Sequence, residues 1–112
     1  MTTLLLEALD APLRVLRLFA AEYPLLPAPT VSVSTVYPDL LELSFHDDFS
    51  GFEAWRDVLG IAPGDVSFHV QGDGHTGVLK AHIEYAGASL RLVGFADVSG
   101  TDEERSRAEV VS

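Results

Sequence analysis

Four histidines are the side chains of this 112-residue chain whose type is best suited to acid–base chemistry or metal binding near neutral pH. They are His46, His69, His75 and His82. A histidine metal site needs ring nitrogens within about 2.1 Å of one ion, so several side chains must converge. The chain contains no cysteine, which excludes disulfides and thiolate metal sites. Chemistry at the histidines therefore depends on the elements that position them.

Residues 64–97 predict three antiparallel strands joined by tight turns at Asp73-Gly74 and Ala86-Gly87. Side chains alternate between the two faces of a strand, so one register collects the apolar side chains on a single face. That register pairs Phe68 with Leu79, Val66 with Ala81, Ala81 with Leu92, and Ile83 with Leu90. A slip of one residue would scatter these side chains over both faces, which makes the register well specified.

The same register separates the histidines. His82 faces Arg91, whose guanidinium opposes cation binding, and the level of His69 lies about 13 Å along the strand from that of His82 at ~3.3 Å per residue. His75 falls in the turn. We therefore predict that the chain has no metal site and no cofactor. A pair formed by His46 and His69 across neighbouring strands is the remaining alternative.

The run His46-Asp47-Asp48 is the nearest approach to an acid–base cluster. It precedes a helix, whose dipole favours carboxylates at its N-terminus, and that electrostatic role is the simpler interpretation. The glycine-rich run from Gly72 to Gly77 joins two strands rather than a strand and a helix, so it makes no phosphate cradle. No serine has the sequence context of a nucleophile elbow. We therefore predict no catalytic residue.

Two amphipathic helices accompany the strands. The first covers residues 11–23, after a short arm at 3–9, and the stripe expected to face the core consists of Leu5, Leu9, Leu13, Leu16, Ala20 and Tyr23. The second covers residues 50–60, with Ser50 and Glu53 as a capping box and Gly60 as its left-handed stop. Its buried stripe consists of Phe52, Trp55 and Leu59.

Two further strands precede the second helix. A three-residue loop at Tyr37-Pro38-Asp39 pairs Val31, Val33 and Thr35 with Phe45, Leu43 and Leu41. The predicted fold class is α+β, in the order α-β-β-α-β-β-β, with a mostly antiparallel five-stranded sheet and helices packed on it. Residues 1–99 are predicted to form a single domain, and residues 100–112 a polar C-terminal tail.

The segment 41–96 resembles, in its order of strand, helix and three strands, one module of the vicinal oxygen chelate (glyoxalase-like) superfamily. The helix from Phe52 to Ile61, which ends in a Leu-Gly turn, is similar to the helix of that superfamily. The resemblance implies a metal-dependent enzyme whose site combines two modules, with His and Glu ligands on strands. His46 on the first strand and Arg91 on the last do not match that ligand pattern.

The net charge is −10, from 17 acidic and 7 basic residues. This disfavours direct binding to nucleic acid, because cationic side chains supply most of the affinity for phosphates. The acidic residues are dispersed, and only Asp102-Glu103-Glu104 forms a run. They indicate either a well-solvated surface or an acidic surface for a basic partner. No leader or membrane-spanning pattern is visible, so we expect a cytoplasmic protein without a membrane partner. The single lysine and the absence of asparagine favour a GC-rich bacterial or phage genome.

Surplus apolar side chains predict an interaction surface. Val78, Val93 and Phe95 fall on the strand face away from the predicted core, and Val15, Leu18 and Phe19 widen the first helix beyond its stripe. Exposed apolar patches usually mark a covered site. Either the first helix covers the sheet patch, or a second copy does so in a two-fold dimer. A homodimer or a heteromeric protein partner is therefore expected.

The leading functional hypothesis is a small acidic, non-catalytic module for protein–protein interaction. Its sharper form is an inhibitor or regulator of a basic partner. The alternatives are a small-ligand or metal-dependent glyoxalase-like enzyme and a structural component of a phage or similar particle.

Overall fold

The computed structural model of the chain describes residues 3–46 and 49–98, and within them two α-helices and five β-strands. The helices are α1 (Asp10–Glu22) and α2 (Ser50–Leu59), and the strands are β1 (Thr30–Val33), β2 (Leu40–Phe45), β3 (Ser67–Val70), β4 (Thr76–Tyr85) and β5 (Ala88–Asp97). Short 3₁₀ turns at Leu6–Leu9 and Pro63–Asp65 precede α1 and β3. The predicted tail at 100–112 and the pair Asp47-Asp48 lie outside the described residues.

The strands form one sheet in the order β1-β2-β5-β4-β3. Neighbouring strands are antiparallel except β2 and β5, which are parallel. The predicted register of β3, β4 and β5 is confirmed, with Phe68 opposite Leu79, Ala81 opposite Leu92 and Ile83 opposite Leu90. The ladder between β3 and β4 begins at Ser67, so Val66 lies just before it. The α+β class and the mostly antiparallel five-stranded sheet are therefore confirmed.

The predicted register of β1 and β2 is wrong by two residues. Val31 faces Leu43 and Val33 faces Leu41, where the sequence predicts Phe45 and Leu43 as their partners. The connection is longer than the predicted three residues, because the Ser34 hydroxyl accepts the Val36 amide at 3.0 Å in an additional local turn. An even shift keeps every side chain on its face, so the apolar alternation does not detect it.

Helix α1 buries the predicted stripe only in part, since Leu16 and Tyr23 are half-buried against the core and Ala20 is exposed. Pro12, Val15 and Phe19 are its buried residues, whereas Leu13 is 41% exposed and Leu5, in the preceding arm, is 66% exposed. Both sets of positions recur at helical spacing, so periodicity alone does not choose between them. The choice is made by the sheet and by α2, against which Val15 and Phe19 pack in one core cluster.

Helix α2 ends as predicted but begins differently. Gly60 has a φ of +72°, and the amide of Ile61 donates to the Arg56 carbonyl at 3.1 Å, which closes the C-terminus. At the N-terminus Phe49 is the cap residue, and the Glu53 carboxylate accepts a hydrogen bond from Arg56 Nε at 2.8 Å. With Phe49 as the cap residue, no side-chain hydrogen bond caps the helix, so the predicted capping box with Ser50 at the cap position is wrong.

Both helices contribute to the core on the same face of the sheet. Phe19 of α1 meets Trp55 of α2 edge to face, with ring centroids 5.4 Å apart. The Trp55 indole is buried, and its Nε1 donates to the Pro27 carbonyl at 2.8 Å. The helices lie mainly against β2 and β5 in the middle of the sheet. Strand β3, at one edge, therefore extends beyond the helical layer.

Candidate functional site

The histidines lie on different strands and loops and form no common site. His69 is on β3, His75 is in the turn before β4, and His82 faces Arg91 across β4 and β5. Among residues 3–46 and 49–98, no three histidine or carboxylate side chains are placed to hold a metal ion together. The described residues thus supply no ligand set for the metal that the glyoxalase-like resemblance implies.

His46 lies in a cleft of about 240 Å³ where β2 ends and α2 begins. Its ring stacks on Phe95, with centroids 4.9 Å apart and an interplanar angle of 4°. His46 Nε2 lies 3.1 Å from the Ser44 hydroxyl, which in turn donates to the Thr30 carbonyl at 3.4 Å. The His46 tautomer sets the direction of this contact: a protonated Nε2 donates to the Ser44 hydroxyl, and an unprotonated Nε2 accepts the hydroxyl proton in place of the Thr30 carbonyl.

The predicted interaction residues are mostly inside the molecule. Val15 and Phe19 are 0% and 1% exposed in the core, and Leu18 is half-buried. Val15 and Phe19 therefore do not belong to an interaction surface as predicted, because α1 turns that face toward the sheet and α2. The alternative in which the first helix covers the opposite face of the sheet is also wrong. Helix α1 packs on the same face as α2, in one core cluster with Trp55.

The patch on the other face of the sheet is also largely enclosed. Val78 and Val93 are 1% and 3% exposed, and Phe95 is half-buried beneath the His46 ring. Val78 faces Phe95 across β4 and β5, and Val93 faces Lys80. An interaction surface that requires free Val78 and Val93 side chains is therefore absent from the described part of the chain.

Strand β3 exposes apolar side chains, and one of them, Phe68, falls on the apolar face of the predicted register. All four of its residues are exposed, and Phe68 and Val70 retain 54% and 45% of their accessible surface. Phe68 has the predicted partner on β4, and its ring meets Phe49 edge to face at 6.4 Å. Its exposure arises because β3 is outermost and the helices lie over the middle of the sheet.

Carboxylates lie just beyond both ends of β3. Asp65 ends the 3₁₀ turn before the strand, and Asp73 lies in the turn after it. The Asp73 side chain accepts the amides of His75 at 2.8 Å and Thr76 at 3.0 Å and the Thr76 hydroxyl at 2.9 Å. These hydrogen bonds lower the pKa of the Asp73 carboxyl, and the one from the His75 amide has the largest effect. The strand therefore has a fixed negative charge at its C-terminal end at neutral pH.

Most arginines of the described residues are neutralised locally. Arg14 pairs with Asp10, Arg56 with Glu53, and Arg91 with Glu42. Within residues 3–46 and 49–98, these carboxylates have no ion pair with a basic side chain: Glu7, Glu22, Asp39, Asp57, Asp65, Asp73 and Glu84. Arg17 and Lys80 are the cations left without an ion pair in the same ranges. The described surface consequently has a strong excess of uncompensated negative charge.

Neither helix of the described residues is long and apolar enough to cross a membrane. Comparison of the chain with protein-family models, with curated proteins and with solved structures finds no match.

Proposed function

We propose that this protein is a non-catalytic protein-binding module whose partner is a basic protein. The observation that carries the proposal is the pattern of charge pairing. Among residues 3–46 and 49–98, Arg14, Arg56 and Arg91 each pair with a carboxylate, while a larger set of exposed carboxylates has no basic partner within those ranges. A partner with clustered lysine or arginine side chains would supply the missing charge.

Electrostatics of this kind acts mainly on association. A field of one sign steers an oppositely charged partner and raises its association rate by roughly 10- to 1000-fold at low salt. The advantage falls with ionic strength, because the screening length is about 8 Å under physiological conditions. The proposed complex should therefore form quickly at low salt and much more slowly at high salt.

The apolar strand β3 supports a protein partner over a small ion. Phe68 and Val70 offer exposed apolar surface next to Asp65 and Asp73. A simple cation would neutralise the carboxylates without covering the apolar side chains. A protein that carries both basic and apolar side chains satisfies both requirements.

The test compares charge variants of the full chain. The first variant carries Glu7→Gln, Glu22→Gln, Asp57→Asn and Asp65→Asn, and the second has lysine at the same four positions. Proteins captured from a bacterial lysate by the unmodified chain are identified and purified, and their association rates with all three chains are measured at low and high salt. We expect the rate to fall in the order unmodified, amide, lysine, with the differences shrinking at high salt.

Equal association rates for the three chains would overturn the proposal. Stoichiometric zinc, iron or nickel in the purified protein would do the same, because it would favour the metal-dependent enzyme. Large homogeneous assemblies on size-exclusion chromatography would favour the particle component instead.

A further inference from the structure

Strand β3 is an edge of the sheet in the part of the chain that the structure describes, and it is protected only by its short length of four residues, since it has no proline, lysine or bulge. It is the outermost strand of the sheet, and its only strand partner among the described residues is β4. Proteins commonly protect edge strands with proline, lysine or a bulge, because unpaired backbone groups there accept a further strand. The sequence Ser67-Phe68-His69-Val70 has neither proline nor lysine, and its four residues pair with Lys80, Leu79, Val78 and Gly77 without a bulge.

The faces of β3 define what an added strand must carry. Phe68 and Val70 lie on the face toward the helical layer, where 54% and 45% of their surface remains accessible. Apolar side chains of an incoming strand would cover them, since neighbouring strands place their side chains side by side. Ser67 and His69 lie on the other face and are also exposed. An incoming strand therefore needs apolar and polar side chains in alternation.

The charge at the two ends of β3 argues against a second copy of this chain as the occupant. In an antiparallel pairing of two β3 strands centred on His69, Asp65 of each copy would be brought next to Asp73 of the other. Both residues lie in the turns that flank β3, and carboxylates brought together there repel each other. A strand whose polar positions are lysine or arginine meets the same carboxylates with opposite charge.

We propose that β3 binds an extended segment of a partner protein by strand addition, and that this segment alternates apolar and basic residues. This inference rests on the proposed function and names its binding edge and the chemistry of the recognised segment. The backbone of the added strand would pair with the free edge of β3, and its apolar side chains would cover Phe68 and Val70. Its basic side chains would lie near Asp65 and Asp73.

The probe is a fluorescent peptide that alternates valine and lysine over about eight residues, which exceeds the length of β3. Binding to the full chain is measured by fluorescence anisotropy. One control peptide has the same composition with its lysines in one block, and another has alternate backbone amides methylated so that they cannot pair. Phe68→Lys is compared with Val31→Lys, which introduces the same charge at an exposed apolar position of the opposite edge strand, β1.

Strand addition predicts that the alternating peptide binds at least about tenfold more tightly than either control peptide, a difference of ~1.4 kcal/mol. Phe68→Lys should remove that preference, and Val31→Lys should retain it. Backbone amide signals of residues 67–70 should shift most in nuclear magnetic resonance spectra. A circular dichroism spectrum matching that of the unmodified chain verifies that Phe68→Lys folds.

Other outcomes overturn the inference in distinguishable ways. Equal binding of all three peptides with steep salt dependence would reject strand addition but leave the proposed function standing. Absence of peptide binding would also reject strand addition, and the charge variants described above would then decide the proposed function alone. A dimer that Phe68→Lys dissociates would identify a second copy as the occupant.

Discussion

Strands β1 and β3 are the two edges of one sheet, and they differ in what surrounds them. The chain before β1 is rich in proline and is held to the core by the bond from Trp55 Nε1 to the Pro27 carbonyl. On β1 Val33 is half-buried and packs against the core cluster. On β3 every residue is exposed. Apolar alternation thus specifies a strand, whereas the position of the helical layer specifies whether that strand belongs to the core.

The largest expected difference in stability is between variants of a buried phenylalanine, Phe19, and a partly exposed one, Phe68. Phe19→Ala should lower the free energy of unfolding by about 3–5 kcal/mol, because the ring is 1% exposed and contacts Trp55 and Tyr85. Phe68→Ala should cost under about 1 kcal/mol, because half of its surface is already in water. Urea unfolding followed by Trp55 fluorescence measures both values. Similar losses for the two variants would show that β3 is packed as tightly as the middle of the sheet.

A smaller effect is expected where α2 approaches β5. A methyl group at Gly94 would lie 3.0 Å from Phe52 Cβ, an atom fixed to the helix backbone. Gly94→Ala should therefore destabilise the chain by about 1–3 kcal/mol through overpacking. Gly72→Ala is the matched control, since a methyl group there meets nothing within 4 Å. The control should change the free energy of unfolding by about 0.5 kcal/mol or less, and a loss equal to that of Gly94→Ala would contradict the close approach.

The smallest effects concern titration at the two ends of β4. Partial burial, followed by the nearby Tyr23 and Glu22, raises the pKa of Tyr85, so we expect its phenolate to form only above the ordinary value of 10.0. Its stabilising contribution is complete below that value and is lost as the pH rises through the folded-state pKa. The pKa of Asp73 is lowered, so its contribution is present above 3.8 and is lost as the pH falls through the folded-state pKa.

Ultraviolet absorption of the phenolate and carbon-detected magnetic resonance of the carboxyl group follow these two titrations. Tyr85→Phe and Asp73→Asn assign the signals and should each flatten the stability profile at one end of the pH range only. A Tyr85 pKa at or below its ordinary value would contradict its partial burial against Phe19 of α1. An unshifted Asp73 would contradict its hydrogen bonds to His75 and Thr76.

The three consecutive antiparallel strands β3, β4 and β5 show how much of the register the local sequence pattern predicts. Tight turns at Asp73-Gly74 and Ala86-Gly87, combined with alternating side chains, predict the register from Ser67 to Asp97 correctly. Gly74 and Gly87 have φ values of +76° and +89°, so the turn residues match the backbone that the turns require. Each of these connections is short, and a short connection leaves the chain little choice of pairing.

Where an apolar pattern fits more than one arrangement, the local sequence does not select between them. The connection between β1 and β2 tolerates a shift of two residues, because the shift moves no side chain to the other face. Helix α1 has apolar residues on more than one side, so both Leu13 and Val15 satisfy its periodicity, and only Val15 is buried. The predicted interaction surface differs most from the structure, since these four of its residues are buried: Val15, Phe19, Val78 and Val93.

The kinds of elements, the register of β3 to β5 and the excess of negative charge can be predicted from the residues alone, because propensity, turn geometry and composition are local or additive properties. Which apolar side chains remain exposed depends on how the elements pack. Their exposure depends on where the two helices pack on the five strands, and that packing joins residues far apart in the sequence. Phe68 is apolar and correctly paired with Leu79, yet it is exposed because the helical layer does not extend over β3.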